Sequence, residues 1–319
     1  MSTATDVVTP GAELASVVSD FPATGQIVTA VLECWPEHEK YLRKGLSIRS
    51  PEQLATTETL AEAALVLEGH RLSDLAANYR WTCDRLREEE LYFHRNGAYR
   101  LSTFEEADRE VYSNADYMER YVDGLLLSQV LWFNHVGSCD FFMRRSPALI
   151  KQSARYLEVG PGHGLMTSLA LRDFRLGSAT AWDISPVSVE HTRQALSKLG
   201  FDDVTCEVRD ALSIELNERE FDFIVLSEVL EHIEDPMPVM GKLRSLMSDD
   251  GLIFINVPIN SPSPDHIYLM ETPEAARRLL TDNGFEIVEE AMFATQGTKL
   301  ERALKNKVSV SVNMFGRPA

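Results

Sequence analysis

Two stretches hold titratable side chains at spacings suited to moving a proton. In "SEVLEHIEDP", residues 227–236, Glu228, Glu231, His232 and Asp235 lie three, four and seven positions apart, which on a helix places them on one face. An imidazole titrates near neutral pH and a carboxylate beside it raises its basicity, so His232 is the leading general base. Asp235 before Pro236 reads instead as a helix N-cap followed by proline at the first helical position. The second stretch, "NVPINSPSPDHIYLM", residues 256–270, is a Pro/Ser-rich loop bearing Asp265, His266 and Tyr268. Loops of this kind carry function more often than packing, which makes His266 a second catalytic candidate and Asp265 and Tyr268 substrate contacts. His232 and His266 are well separated along the chain and show no tight ligand spacing. The expectation is therefore that neither Glu231 nor Asp265 joins them in a metal site.

The third chemical feature is "YLEVGPGHGLM", residues 156–166, where Gly160, Gly162 and Gly164 alternate behind Glu158. Glycines at such positions let the backbone turn tightly and approach a ligand with no Cβ in the way. A dinucleotide fingerprint would place its third glycine at 165, where Leu165 stands. The loop follows the apolar run "ARYLEV" and precedes "LMTSLALRDF", a strand and a helix, so it lies where open α/β sheets bind ligands.

This ExGxGxG loop resembles the first motif of class I S-adenosylmethionine (SAM) methyltransferases. Beyond Gly164, Asp183 closes the next strand-like run, "TAWDIS", and Asp210 closes the one after it, "EVRDAL". The resemblance implies that Asp183, with Ile184 beside it, accepts the ribose hydroxyls, and that Asp210 and the Ala211 amide hold the adenine amino group. "FDFIVLSEVLEHIEDP" resembles the matching segment of ubiquinone-type methyltransferases, which adds Ser227 and Glu228 to the implied cofactor set of Glu158, Gly160, Gly162 and Gly164. In relatives with winged-helix N-terminal domains the catalytic histidine aligns with Glu231, one position before His232. Glu231 is therefore a third catalytic candidate. The sulfonium of SAM makes its methyl electrophilic, so the protein has to aim a nucleophile and, where needed, remove a proton.

These residues need a scaffold. Beyond residue 150, strand-like runs ("ARYLEV", "SATAWDIS", "VTCEVRD", "FDFIVLSE", "GLIFINVP") alternate with amphipathic helices, which predicts a Rossmann-like doubly wound α/β sheet. "FEIVEEAMFA" and "VSVSVNMF" add an antiparallel edge, giving seven strands. Residues 1–25 read as a polar arm. From Gln26 to about Arg87 apolar residues recur at helical spacing. "ELYFHRNGAYRLS" then reads as a hairpin through Asn96-Gly97. Helices followed by a hairpin outline a winged helix over residues 1–110, similar to the dimerisation domain of many small-molecule methyltransferases. Residues 115–145 read as helix within a linking segment, 111–150, that roofs a catalytic domain at 151–319. Tyr117, Tyr121, Asn134 and His135 of that roof are further substrate candidates.

Net charge is −18, with −9 on each side of residue 150, and the candidate recognition helix ends in Glu88, Glu89 and Glu90. A phosphate backbone would be repelled, which excludes nucleic acid as the expected partner. No stretch is apolar enough for a membrane span and no leader is apparent, so a cytoplasmic protein is expected. Cys34, Cys83, Cys139 and Cys206 form no CxxC pair, as suits buried thiols in a reducing compartment. The expected activity is SAM-dependent methylation of O, N or activated C on a small molecule of specialised metabolism, by a homodimer. The alternatives are attack at another sulfonium carbon and a winged-helix regulator that senses SAM.

Overall fold

The computed structural model describes Leu14, residues 16–212 and residues 220–319. Most of the expected N-terminal arm lies outside these residues. Seven strands form one sheet in the order β3-β2-β1-β4-β5-β7-β6: β1 (Ala154–Val159), β2 (Leu176–Asp183), β3 (Val204–Val208), β4 (Phe221–Ser227), β5 (Met247–Ile259), β6 (Phe285–Ala294) and β7 (Val310–Pro318). The first five are parallel, and β7 runs antiparallel to both β5 and β6. All seven expected strands are present. Chain order reverses between β1 and β4, which opens a crevice at their carboxyl ends.

The sheet is buried on both faces. Leu157, Ile224, Ile253 and Ile255 pack on one side with Val239 and Leu243 of helix Pro236–Leu246 and Leu279 of helix Pro273–Thr281. On the other side, Phe142 of helix Phe133–Leu149 lies against Phe174, Phe223 and Phe254, ring centroids 5.0–5.9 Å apart. That core continues into the helical N-terminal region through Leu126, Tyr79, Leu60 and Ile27. Burying one such aromatic contributes about 1.5–3 kcal/mol.

Helix Pro51–Glu68 starts at a reciprocal capping box: Ser50 Oγ accepts from Gln53 N, and Gln53 Oε1 accepts from Ser50 N. The expected hairpin is absent. Residues Leu72–Asn96 form one continuous helix, and Gly97, at φ +70°, is its left-handed cap, donating to Phe93 O at 2.7 Å. The Asn-Gly pair that suits a type I′ turn serves equally as a helix stop. Here "REEELYFHRN" carries helix formers up to that point, with Glu89 and Phe93 buried four residues apart on one face. No strand occurs before Ala154 among the described residues, so the described N-terminal residues are helical and the segment expected to form the wing is not a hairpin.

The expected helix over 115–145 is two, Ala115–Leu131 and Phe133–Leu149, with Trp132 extended between them (φ −88°, ψ 131°). Buried Arg49 explains the break: its guanidinium donates to the final carbonyls Val130 O (2.9 Å) and Leu131 O (2.8 Å), a cation at a helix C-terminus. Among the described residues no helix is long and apolar enough to cross a membrane.

Candidate active site

The glycine loop emerges from β1 with Gly160, Gly162 and Gly164 all at positive φ, +68°, +53° and +68°. A Cβ on Gly160 would lie 2.6 Å from Val229 Cγ2, and one on Gly164 would lie 3.0 Å from Leu196. A Cβ on Gly162 would meet nothing within 4 Å. The outer glycines thus serve close packing, whereas Gly162 borders the open crevice. Glu158 is 2% exposed and accepts from the hydroxyls of Tyr156 and Thr167. It braces the loop from beneath, and burial pushes its carboxyl up to about 7. His163, inside the loop, lies 3.0 Å from the Val122 carbonyl and ties the loop to the roof helix.

Asp183 ends β2 with Oδ1 accepting from Ser185 N at 2.9 Å, and burial pushes its carboxyl upward. Ile184 beside it is 58% exposed. Asp210 lies past the end of β3 and accepts from Leu212 N at 2.9 Å, with Ala211 between them. Ile184 and Leu212 are exposed aliphatic side chains next to these carboxylates, surface that a ring could cover. A bare loop, a carboxylate at each of two strand ends and flanking apolar surface are compatible with a nucleoside-bearing ligand such as SAM.

Residues 227–236 do not form the helical face expected of them. Ser227 ends β4 and accepts from Asn256 Nδ2 at 3.1 Å. Glu228 is left-handed (φ +55°), and a single 3₁₀ turn spans Leu230–His232. That turn is held by Ile267 N and Tyr268 N, which both donate to Glu231 O. Asp235 caps helix Pro236–Leu246 by accepting from Met237 N, as expected.

The fold brings the three catalytic candidates together. Glu231, His232 and His266 each have one ligand-type atom within 4.8 Å of the others. The two imidazoles meet edge to face with centroids 4.9 Å apart. His232 Nδ1 lies 3.1 Å from both Asp265 O and Tyr112 Oη, and its Nε2 lies 3.9 Å from Glu231 Oε1. His266 Nδ1 lies 2.6 Å from Ser261 O. Burial, with His232 adding to it, lowers His266 to about 4. Burial and the Glu228 carboxyl together push Glu231 well above the carboxylate range. Burial likewise pushes Glu228 up to about 7. Asp265 goes the other way: burial opposes its charge, but the two imidazoles and the Tyr121 and Ser263 hydroxyls hold its carboxyl below the usual value.

Of the roof residues, Tyr121 is locked onto this cluster, with its hydroxyl 2.6 Å from Ser263 Oγ and donating to Asp265 Oδ1 at 2.7 Å. Tyr117 is half-buried, edge-on to Trp81. Asn134 donates to Ser311 Oγ of β7, while its Oδ1 is buried without a partner. His135 turns to Ser128 and Gln129 of its own segment, and burial lowers it to about 4. Tyr268 packs against the apolar cluster of β4 and β5.

Sequence reasoning misses Tyr112 and Tyr99. Tyr112 contacts His232 and, at 3.4 Å, Asp265, while Tyr99 Oη accepts from Ser261 N at 3.0 Å. With Tyr121 they clasp the 261–265 loop from the helical side. No local motif marks them, because their partners come from the other end of the chain. It also misses Asn256 and Asn313, which pair across β5 and β7, each with a buried Oδ1 that has no partner. Asparagines at inward positions of apolar strands are the available signal.

Comparison with known proteins agrees with this geometry. A family model described as "Methyltransferase domain" matches residues 134–306, more than half of the chain. The chain is 28% identical over 115 residues to trans-aconitate 2-methyltransferase of Enterobacter sp. (strain 638), covering 36% of this chain and 43% of that protein. It is 27% identical over 120 residues to (S)-coclaurine N-methyltransferase of Papaver somniferum, covering 38% and 33%. It is 29% identical over 129 residues to a ubiquinone biosynthesis O-methyltransferase of Xanthomonas campestris pv. campestris (strain B100), covering 40% and 52%. The chain thus spans about half or less of the length of these curated relatives. A solved SAM-dependent methyltransferase from Aquifex aeolicus aligns with a TM-score of 0.40 and 18% identity, covering 52% of this chain and 84% of that one. With the family model matched over most of the sheet and the glycine loop within it, the chain belongs to the methyltransferase-domain family, whose cofactor is SAM.

Proposed function

We propose that the protein transfers a methyl group from SAM to an oxygen, nitrogen or activated carbon of a small molecule, in specialised biosynthesis. The observation that carries this reading is the convergence of Glu231, His232 and His266 just past the end of β4, next to the strand that leads into the glycine loop. SAM supplies an electrophilic methyl group. The chain's own residues bind and orient it through Gly162, Asp183 and Asp210, and the polar cluster activates the acceptor. His232 is partly open, 26% of its side chain exposed, so an acceptor can reach it. Its Nδ1 is engaged by Asp265, which leaves Nε2 as the lone pair toward the reacting group. Of the roof residues, half-buried Tyr117 is assigned to the acceptor, while Tyr121, its hydroxyl taken up by Ser263 and Asp265, and Asn134, bonded to Ser311, support the wall behind it.

Residues 151–319 act as the SAM-binding unit, 111–150 as its roof and 1–110 as a helical unit for homodimer contact. Val66 (56% exposed) and Leu91 (49%) support the last assignment. A net charge of −18 favours a small molecule over nucleic acid, and four cysteines without a disulfide suit the cytoplasm. Incubating the protein with SAM and a panel of phenols, amines and enolisable acids tests the reaction. S-adenosylhomocysteine together with a methylated acceptor supports it. Methylthioadenosine in place of S-adenosylhomocysteine would replace methyl transfer with attack at another carbon. A monomer mass by light scattering would remove the dimer.

A further inference from the structure

Buried carboxylates need partners, and here several oxygens have none. Glu231 is 0% exposed, and both its oxygens lack a hydrogen-bond partner among the described residues. Glu228 Oε1 is likewise buried and unpartnered, on a carboxyl close enough to Glu231 to raise it. Two carboxyl groups this close, with only the Asn256 amide beside Glu228, are costly unless they share a proton or a positive charge lies between or beside them. His232 is the side chain that faces Glu231 from the exposed side, with Nε2 3.9 Å from Oε1.

The histidines are oriented for a ligand as well. His266 Nδ1 donates to Ser261 O at 2.6 Å, which fixes that nitrogen as N–H and leaves Nε2 as the lone pair. His232 Nδ1 donates to Asp265 O at 3.1 Å, with the Asp265 carboxylate 3.5 Å away, which again leaves Nε2. Metal-bound histidines are held in this way, with the second nitrogen donating to a carbonyl or carboxylate. Ligand atoms around an ion at about 2.0–2.2 Å lie about 3–4 Å from one another. The observed spread, within 4.8 Å, closes to that with small side-chain movements.

We propose that Glu231, His232 and His266 form a binding site for a divalent first-row transition-metal ion, such as Mn²⁺, Fe²⁺, Co²⁺ or Zn²⁺. The spacing of these residues along the chain argues against such a site, but the fold supplies the proximity that the spacing lacks. Two imidazoles and one carboxylate suit these ions better than Mg²⁺ or Ca²⁺, which favour all-oxygen sets. Three protein ligands leave coordination positions open on the exposed side of His232, and an acceptor with oxygen donors is the class of molecule that would occupy them. The site deepens the methyl-transfer reading on which it rests by changing one role in it: with an ion bound, His232 Nε2 would be a ligand, and the ion in place of the imidazole would activate the acceptor. It rests on these side chains alone, so its failure would leave the SAM site untouched.

The test uses the full chain, stripped with chelator and titrated with Co²⁺ in the calorimeter, with binding of S-adenosylhomocysteine followed separately. One equivalent of Co²⁺ is expected per chain, with affinity at least tenfold weaker in Glu231→Gln and in His266→Ala. The wild-type Co²⁺ protein is expected to show two hyperfine-shifted exchangeable proton resonances, from the Nδ1–H groups of His232 and His266. This readout needs no variant to fold. Absence of stoichiometric binding, or binding without those two resonances, would overturn the proposal and leave a proton shared by Glu228 and Glu231 as the charge compensation. Metal binding without S-adenosylhomocysteine binding would instead count against the SAM reading.

Discussion

Gly162→Ala separates a loop built to turn from a loop built to hold a ligand. The new Cβ meets no protein atom within 4 Å, so the folded protein loses only what a positive φ of +53° demands, about 1–2 kcal/mol. The melting temperature should fall by a few degrees. The methyl instead projects toward the crevice where SAM binds, and forcing it against a close-packed ligand costs about 1–3 kcal/mol more, or about 5- to 150-fold in affinity. Gly160→Ala is the counterpart: its Cβ would lie 2.6 Å from Val229 Cγ2, so overpacking adds to the backbone strain and stability suffers first. Thermal melts and calorimetry with S-adenosylhomocysteine read both quantities. A Gly162→Ala protein that binds S-adenosylhomocysteine as tightly as the parent would refute the cradle and leave the loop a mere turn.

Other perturbations test other levels of the structure. Glu158 has its carboxyl raised from 4.5 to about 7. Across that window the folded state keeps a proton that the unfolded chain has lost, so stability falls as pH rises from 4.5 to 7, by about 3 kcal/mol in all. Glu158→Gln should remove that part of the slope in urea midpoints measured from pH 4.5 to 8, and equal slopes in the two proteins would contradict it. His232→Ala should lower kcat about 10²- to 10⁴-fold with S-adenosylhomocysteine affinity unchanged; a loss of affinity alone would make it a cofactor residue. Arg49→Met leaves the last carbonyls of helix Ala115–Leu131 without their cation. A loss of about 3 kcal/mol or more is expected in chemical denaturation, and a neutral result would mean the helix break at Trp132 has another cause.

Much of this architecture is legible in the sequence because it is local. The seven strands follow from apolar runs bounded by turn residues, and the register of Gly164 against Leu165 separates a SAM loop from a dinucleotide loop. The Asp235 cap depends on its two neighbours and is equally readable. Two errors have a common origin, a local signal with more than one structural answer. Asn96-Gly97 fits a hairpin and a helix stop alike, and the decision lies in the packing of Phe93. The spacing of Glu228, Glu231 and His232 fits a helix, but the backbone of residues 267 and 268 captures Glu231 O and tightens the segment into a 3₁₀ turn. The meeting of His232 with His266, and the tyrosine clasp of Tyr99, Tyr112 and Tyr121, depend on tertiary contacts between segments far apart in the chain. No spacing rule along the chain could express them.

Titration of S-adenosylhomocysteine into the wild-type protein and into Asp183→Ala decides whether this crevice binds SAM. One equivalent per chain is expected for the wild type, and binding at least tenfold weaker, about 1.4 kcal/mol, for the variant that lacks the carboxylate proposed to hold the ribose. Absence of binding heat for the wild type at millimolar ligand, or equal affinity in the two proteins, would contradict this reading.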